Sequence, residues 1–151
     1  MVRLVILTIL ISVASASNFW VDLWQNHLAK GILRTGKFQT GAIVSLKDGA
    51  PVAKSKGLTL SNTEGRQWAT YFTTDNYWKT QKDGIKAFDK HYDTIKYDFD
   101  QKIVAMNGDN GVILAKNDYT IILAMFNYLT TQNEAEKLVD DFAEYIRNLG
   151  F

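Results

Sequence analysis

Residues 111–151 have the sequence GVILAKNDYTIILAMFNYLTTQNEAEKLVDDFAEYIRNLGF. Two apolar runs flank Asn117-Asp118, a pair that is typical of turns. Thr131 and Glu134 then have the spacing of a capping box, and apolar residues follow at steps of three and four almost to the end. This order predicts two antiparallel strands that lead into an amphipathic C-terminal helix.

Short apolar runs separated by turn residues continue upstream of this stretch. They predict five consecutive strands near residues 86–88, 92–98, 102–106, 112–116 and 119–128. Farther upstream, Asp48-Gly49 lies between two short runs and predicts one more hairpin. Residues 73–84 are polar and aromatic without a clear period, which predicts a loop with at most one helical turn.

Two further helices are predicted before the run of strands. Apolar residues at steps of three and four follow Ser17, the expected N-cap, and Gly31 ends the pattern. Ser61 and Glu64 form a second capping box, which begins a helix that runs toward Phe72. Consecutive strands with helices at both ends predict an α+β domain built on an antiparallel sheet rather than a parallel one.

Composition limits the possible functions. The chain has 151 residues, enough for one domain, and a formal net charge of +1, which gives no bulk attraction to nucleic acid. It has no cysteine, so a disulfide or a thiolate metal site cannot form. His27 and His91 are the only histidines, and neither has a second ligand at metal-binding spacing. We therefore predict no catalytic residue, no metal site and no cofactor, and we interpret His27 as a packed residue at the edge of the first helix.

The first sixteen residues are consistent with a leader sequence. Arg3 precedes an apolar run over residues 4–13, and Ala14-Ser15-Ala16 follows, which is the pattern of a secretory signal peptide. The run is shorter than the roughly 20 apolar residues that a membrane-spanning helix needs. We predict a leader over residues 1–16 and one domain over residues 17–151. A buried strand or a wrongly assigned start would also explain the segment.

Four aromatic residues and four lysines are candidate binding residues. If the terminal helices pack side by side, their rings would form a row suited to a polyproline II segment: Trp20, Trp24, Tyr145 and Phe151. If strand alternation places the ammonium groups on one surface, an acidic partner would bind there through Lys96, Lys102, Lys116 and Lys137. The alternatives are that the rings are ordinary core residues and that the lysines are ordinary solvated side chains.

Several of these segments resemble the profilins, which are small proteins that bind actin monomers. Trp20-Val21-Asp22 is similar to the Tyr-Val-Asp of the first helix, and residues 42–49 are similar to the first strand and its Asp-Gly hairpin. The later similarities are His91-Tyr92 with Ile95-Lys96, Gly111–Lys116, Glu134–Val139 and Tyr145–Phe151. The resemblance extends from Asn18 to Phe151, and the aromatic-rich, cysteine-free middle resembles protist, especially ciliate, members.

The resemblance implies a fold and two partners. The fold would be a sheet of about six to seven antiparallel strands with both terminal helices on one face. Monomeric actin would bind the four lysines named above, and proline-rich proteins would bind the four aromatic residues. The protein would be a cytoplasmic monomer associated with the cytoskeleton. The alternative is a secreted or endomembrane binding protein on the same scaffold, without actin activity.

Four positions that bear on binding depart from the family pattern. Ser17 and Val52 stand where profilins have tryptophans, which predicts weaker polyproline binding than usual. Met106-Asn107 replaces a basic pair, which weakens the case for phosphoinositide binding.

Overall fold

The computed structural model describes residues 13–98 and 100–151, with side chains from Phe19 onward. The helices are α1 (Val13–Gly31), α2 (Asn62–Thr70), α3 (Tyr77–Asp83) and α4 (Gln132–Asn148), and single 3-10 turns occupy Leu33–Thr35 and Thr74–Asn76. The strands are β1 (Thr40–Ser45), β2 (Pro51–Lys54), β3 (Ile85–Ala87), β4 (Lys90–Asp98), β5 (Lys102–Asn107), β6 (Asn110–Lys116) and β7 (Thr120–Phe126). They form one sheet in the order β2-β1-β7-β6-β5-β4-β3, and every neighbouring pair is antiparallel.

The sheet is covered on both faces. Helices α1 and α4 share one face, where Leu28 and Phe142 pack against residues such as Ile113 and Ile122. Helix α2 covers the opposite face, where the fully buried Trp68 packs in a second core. Strands β6 and β7 are therefore apolar on both sides, which explains why their sequences are continuous apolar runs rather than alternating ones.

Local sequence signals account for most of the helix and turn positions. The Ser61 side chain accepts a hydrogen bond from the backbone N–H of Glu64, and the Thr131 side chain accepts one from Glu134. Both predicted N-caps are thus confirmed. The reciprocal half of a capping box is not formed in the described residues, because the Glu64 carboxylate accepts from Phe88 and the Glu134 carboxylate pairs with Lys37. The predicted α+β class, the seven strands and the placement of both terminal helices on one face are also confirmed.

The two free edges of the sheet are closed by side chains. At the β2 edge, the Gln25 amide donates to the carbonyl of Lys54 (2.7 Å) and accepts from its N–H (3.1 Å). At the three-residue β3 edge, the N–H of Lys86 donates to the Tyr71 hydroxyl (2.9 Å), and the N–H of Phe88 donates to the Glu64 carboxylate. These contacts satisfy edge groups that would otherwise face solvent or another chain.

Two local predictions are wrong. Ser17 is not an N-cap, because α1 begins at Val13 and continues through it, and residues 13–16 contain no helix breaker. Residues 73–84 are not a loop, because α3 forms there. Its Thr80 is buried, the Thr80 hydroxyl donates to the carbonyl of Tyr71, and the Thr80 carbonyl accepts from Thr94 on β4. Such tertiary contacts stabilise a short helix that has no periodic signal of its own.

The proposed leader lies mostly outside the described residues. The predicted boundary between residues 16 and 17 falls inside α1, and residues 1–12 are not described. Within residues 13–98 and 100–151, no helix is both long enough and apolar enough to cross a bilayer.

Candidate protein-binding surfaces

Three of the four predicted lysines lie on the α4 side of the sheet: Lys96 on β4, Lys102 on β5 and Lys137 on α4. Lys116 at the end of β6 pairs with Ile121 of the core beneath α2, so strand alternation places it on the opposite face. We call the area shared by the first three the lysine surface, and Lys116 lies at its margin. Lys96, Lys102 and Lys137 line one depression, and Lys102 and Lys116 line the next. Asp140 lines both depressions. Lys96, Lys102 and Lys137 therefore belong to one surface, and Lys116 borders it.

A β-bulge places Lys96 on this side of the sheet. In the register of β4 and β5, Thr94 pairs with Ala105 and Lys96 pairs with Val104, so Ile95 is an extra residue. Val104 packs in the core beneath α1 and α4, and a residue paired with it lies on the same face. Without the bulge, Lys96 would be one register position farther along and would lie on the opposite face.

Each lysine of the surface has a carboxylate partner. The Lys96 Nζ lies 3.0 Å from Glu136 Oε1, and the Lys137 Nζ lies 3.1 Å from Asp141 Oδ2. The Lys102 Nζ lies 3.0 Å from both Glu136 Oε1 and Asp140 Oδ2, and Lys116 pairs with Asp100. The surface is thus a mosaic of both charges, and a partner must complement the pattern rather than only its sign.

Lys102 and Glu136 form the nearly buried centre of this mosaic. Their side chains are each 9% exposed. Burial raises the pKa of Glu136, but hydrogen bonds from Gln132, Lys102 and Lys96 outweigh burial and hold that pKa at about 2. Burial likewise lowers the pKa of Lys102, but hydrogen bonds to Glu136 and Asp140 raise it above its usual value. Both groups are therefore charged at neutral pH, and Lys102 has little surface left for a partner.

Three of the four predicted aromatic residues lie together. The ring centroids of Trp24 and Phe151 are 5.0 Å apart, and those of His27 and Tyr145 are 5.3 Å apart. Trp24 and His27 join the two pairs at 6.1 Å. We call Trp24, His27, Tyr145 and Phe151 the aromatic row. Trp20 lies one turn before Trp24 on α1, and its ring contacts Phe19.

His27 is a member of the row that the sequence did not indicate as a binding residue. Its Nδ1 is 3.0 Å from the Tyr145 hydroxyl oxygen, and its pKa is lowered first by burial and then by the charge of Lys30. The three-residue step from Trp24 to His27 was the available signal, because it places both on neighbouring positions of one helix face.

A groove runs between α1 and α4 from the aromatic row toward the lysine surface. One part, about 270 Å³, is lined by His27, Lys30, Gly31, Thr35, Leu138, Asp141, Phe142 and Tyr145. The next part, about 280 Å³, shares Thr35, Leu138 and Asp141 and adds Lys37, Glu134 and Lys137. We call both parts together the interhelical groove. It links the two candidate surfaces along one side of α4.

Comparison with known proteins decides the family. The family model described as Profilin matches residues 22–151. This chain belongs to the profilin family. It is 28% identical over 128 residues to profilin-1A of Acanthamoeba castellanii, which covers 85% of this chain and 98% of that protein.

Solved profilin structures have the same fold. Acanthamoeba castellanii profilin IA has a TM-score of 0.76 at 27% identity, with 85% of this chain and 99% of that one covered. Mouse profilin IIa, in complex with a double repeat from the FH1 domain of mDia1, has a TM-score of 0.69 at 18% identity, with 85% and 99% covered.

The profilin family is non-enzymatic, so its members act by binding. In the described part of this profilin, no group of three or more His, Cys, Asp or Glu residues could hold a metal ion. His91, which lies away from the aromatic row, has its Nε2 beside the carbonyl of Asp83 at the end of α3. That contact gives His91 a structural explanation as part of the end of a helix.

Proposed function

We propose that this profilin family member binds monomeric actin through the lysine surface and regulates the assembly of actin filaments. The observation that carries the proposal is the shared surface formed by Lys96 on β4, Lys102 on β5 and Lys137 in the first turns of α4. The resemblance implies that the actin-binding residues of profilins lie on the late strands and at the start of the last helix. A surface with exposed cations there suits the acidic surface of actin.

The four lysines have different roles in this proposal. Lys137 and Lys96 have side chains that are 75% and 46% exposed, so they are the groups that would pair with carboxylates of actin. Lys116 is 22% exposed and contributes at the margin. Lys102 is a positioning residue, because it fixes Glu136, and Glu136 in turn holds the Lys96 ammonium in place.

The direct test is the spontaneous assembly of pyrene-labelled actin in the presence of the full chain. We expect excess protein to slow nucleation, because bound monomers are withdrawn from it. Unchanged assembly kinetics at saturating protein would contradict the proposal.

Replacement of Lys137 by Glu is expected to weaken actin binding at least tenfold and to change the free energy of unfolding by less than about 1 kcal/mol. The affinity falls because the new carboxylate repels an acidic partner. Stability changes little, because the substitution replaces an exposed ion pair with Asp141 by an exposed like-charge pair, and each of these is worth only a few tenths of a kcal/mol. Actin affinity and urea unfolding are the two measurements.

Lys56→Glu is the matched control for this variant. Lys56 is exposed beyond β2, at the opposite edge of the sheet from β4. An equal loss of affinity in both variants would show a nonspecific charge effect. A large loss of stability in Lys137→Glu would show that Lys137 is structural.

We also propose that the aromatic row binds proline-rich segments. Rings that stand in a line and carry polar tips can pack against the apolar ridges of a polyproline II helix and bond its free carbonyls. The support is the contact geometry of Trp24, His27, Tyr145 and Phe151. The mouse relative in complex with an FH1 repeat is consistent with this use of the fold.

Replacement of Trp24 by Ala is expected to weaken octaproline binding at least tenfold, because a large aromatic ring in the middle of a binding row is a typical hot spot. Isothermal titration calorimetry measures the affinity without depending on tryptophan fluorescence. Trp78→Ala is the control, since Trp78 is 76% exposed on α3 and lies outside the row. Equal affinities of the wild type and Trp24→Ala would exclude this site.

The proposal places the protein in the cytoplasm, as is typical of profilins. N-terminal sequencing of the native protein tests this location. A native N-terminus at Ser17 in a secreted fraction would instead support a secreted or endomembrane binding protein on a profilin scaffold.

A further inference from the structure

We propose that the interhelical groove selects proline-rich segments that carry an acidic residue next to the prolines, and that Lys30 is the group that recognises it. The inference rests on the proposed binding of proline-rich segments by the aromatic row. It adds a charge requirement to the ligand that the row alone does not impose.

Among the described residues, Lys30 is the one cation of the groove without an ion-pair partner. Lys37 is 3.3 Å from Glu134, and Lys137 is 3.1 Å from Asp141. Within residues 13–98 and 100–151, Lys30 has no carboxylate partner at ion-pair distance, and its side chain is exposed. Three ammonium groups therefore face two carboxylates, and the positive charge that remains lies at the end of the groove nearest the aromatic row.

The other titratable groups near Lys30 neither add to its positive charge nor neutralise it. The pKa of His27 is lowered by burial and by Lys30 itself, so His27 is neutral at pH 7. Asp141 lines the same part of the groove, but its charge is offset by Lys137. A ligand carboxylate that reaches this place thus meets an ammonium group for which no carboxylate of the described residues competes.

The helix geometry gives the expected spacing. Trp24 contacts Phe151, His27 contacts Tyr145, and the neighbourhood of Lys30 and Gly31 meets Phe142, so the two helices run antiparallel beside the groove. From Trp24 to Lys30 the helix rises about 9 Å. A polyproline II segment covers about 9 Å in three residues. We therefore expect the acidic residue about three positions from the proline that packs on Trp24.

The middle of the row can anchor the backbone of such a ligand. The His27 Nδ1 and the Tyr145 hydroxyl share one hydrogen. If Tyr145 donates it, the N–H of His27 is on Nε2 and free, and if His27 donates it, the hydroxyl hydrogen of Tyr145 is free. In both tautomers one donor remains for a ligand carbonyl between the prolines and the acidic residue.

The test compares five peptides with blocked termini: octaproline, and octaproline with Glu or Gln added at either end. Blocked termini remove charges that would mimic the acidic residue. We expect one of the two Glu peptides to bind three- to fivefold more tightly than its Gln counterpart, as for an exposed ion pair. The end that shows the preference reveals the direction in which the ligand runs. The preference should shrink at 0.5 M salt.

Two variants assign the preference to one side chain. Lys30→Gln should abolish it while leaving octaproline affinity unchanged, and Lys37→Gln, which alters a paired lysine of the same groove, should retain it. Equal binding of the Glu and Gln peptides, or a preference that survives in Lys30→Gln, overturns the inference about Lys30 but not the proposed binding of proline-rich segments by the aromatic row. Failure of octaproline itself to bind overturns the proposed use of the aromatic row and this inference with it.

Discussion

Replacement of Glu136 by Gln is expected to lower the free energy of unfolding by about 3 kcal/mol at pH 7. The neutral amide keeps the shape of the side chain but leaves the nearly buried Lys102 ammonium with Asp140 alone, and Asp140 is 55% exposed. The same size follows from the pKa of Glu136, which is about 2 in the folded protein against an ordinary value of 4.5.

The effect should depend on pH in a defined way. Because folding lowers the pKa of Glu136, its contribution is complete above about pH 4.5 and is lost as the pH falls toward 2. The stability difference between the wild type and Glu136→Gln should therefore be constant from pH 7 to 5 and close below pH 4.5. Urea unfolding of both proteins at pH steps between 7 and 2 measures this difference. The other carboxylates titrate alike in the two proteins, so their contributions largely cancel when one stability is subtracted from the other.

Asp141→Asn is the control for Glu136→Gln. It breaks an ion pair of the same helix, but both partners are more than half exposed, so we expect a loss below about 1 kcal/mol. Comparable losses in the two variants would show that the Lys102–Glu136 pair is no more costly to break than a surface ion pair. In that case Lys102 would not act as a positioning residue.

Replacement of Gly31 by Ala is expected to destabilise the protein by about 1–3 kcal/mol, although alanine favours helices by about 1 kcal/mol over glycine. A Cβ atom at position 31 would lie 2.1 Å from Cδ1 of the Phe142 ring. Phe142 is only 3% exposed and cannot swing into solvent, so α1 must move away from α4. Thermal or urea unfolding measures the loss, and weaker octaproline binding should accompany it.

A double-mutant cycle with Phe142→Leu tests the cause. If the ring is the obstacle, Gly31→Ala should cost at least 1 kcal/mol less in the Phe142→Leu background, because the two substitutions share one contact. A stabilising effect of Gly31→Ala in the wild-type background would show that the helices can separate freely at this point. Equal costs in both backgrounds would place the obstacle elsewhere.

The fold was predictable where its determinants are local in sequence. The N-caps at Ser61 and Thr131 specify helix starts through bonds that span three residues. Helix α3 was not predictable, since its Thr80 depends on Tyr71 and Thr94, which lie on other elements. The spacing of apolar residues can indicate that a segment is amphipathic. It cannot show which residues, distant in sequence, will bond to that segment and stabilise it.

The candidate binding surfaces likewise have some features that local sequence patterns predict and others that depend on residues distant in sequence. The helix period was sufficient to expect three rings in one row. Strand alternation was not sufficient for the lysines, because it places Lys116 on the α2 face with Leu114. The partners that decide what these groups can do are remote: Glu136 is forty residues from Lys96, and Tyr145 is 118 residues from His27. The bulge at Ile95 is likewise invisible in the sequence, yet it determines the face on which Lys96 lies.

The closed edges of the sheet bear on the behaviour of this protein at high concentration. Strand-by-strand growth into fibres requires a row of free backbone groups on an outer strand. At Lys54 both backbone groups are occupied by the Gln25 amide, and Pro51 at the start of the same strand has no N–H to offer. On the far side, Lys86 and Phe88 donate to Tyr71 and Glu64. Neither outer strand is a ready template, so concentrated solutions should resist amyloid formation for as long as the chain remains folded.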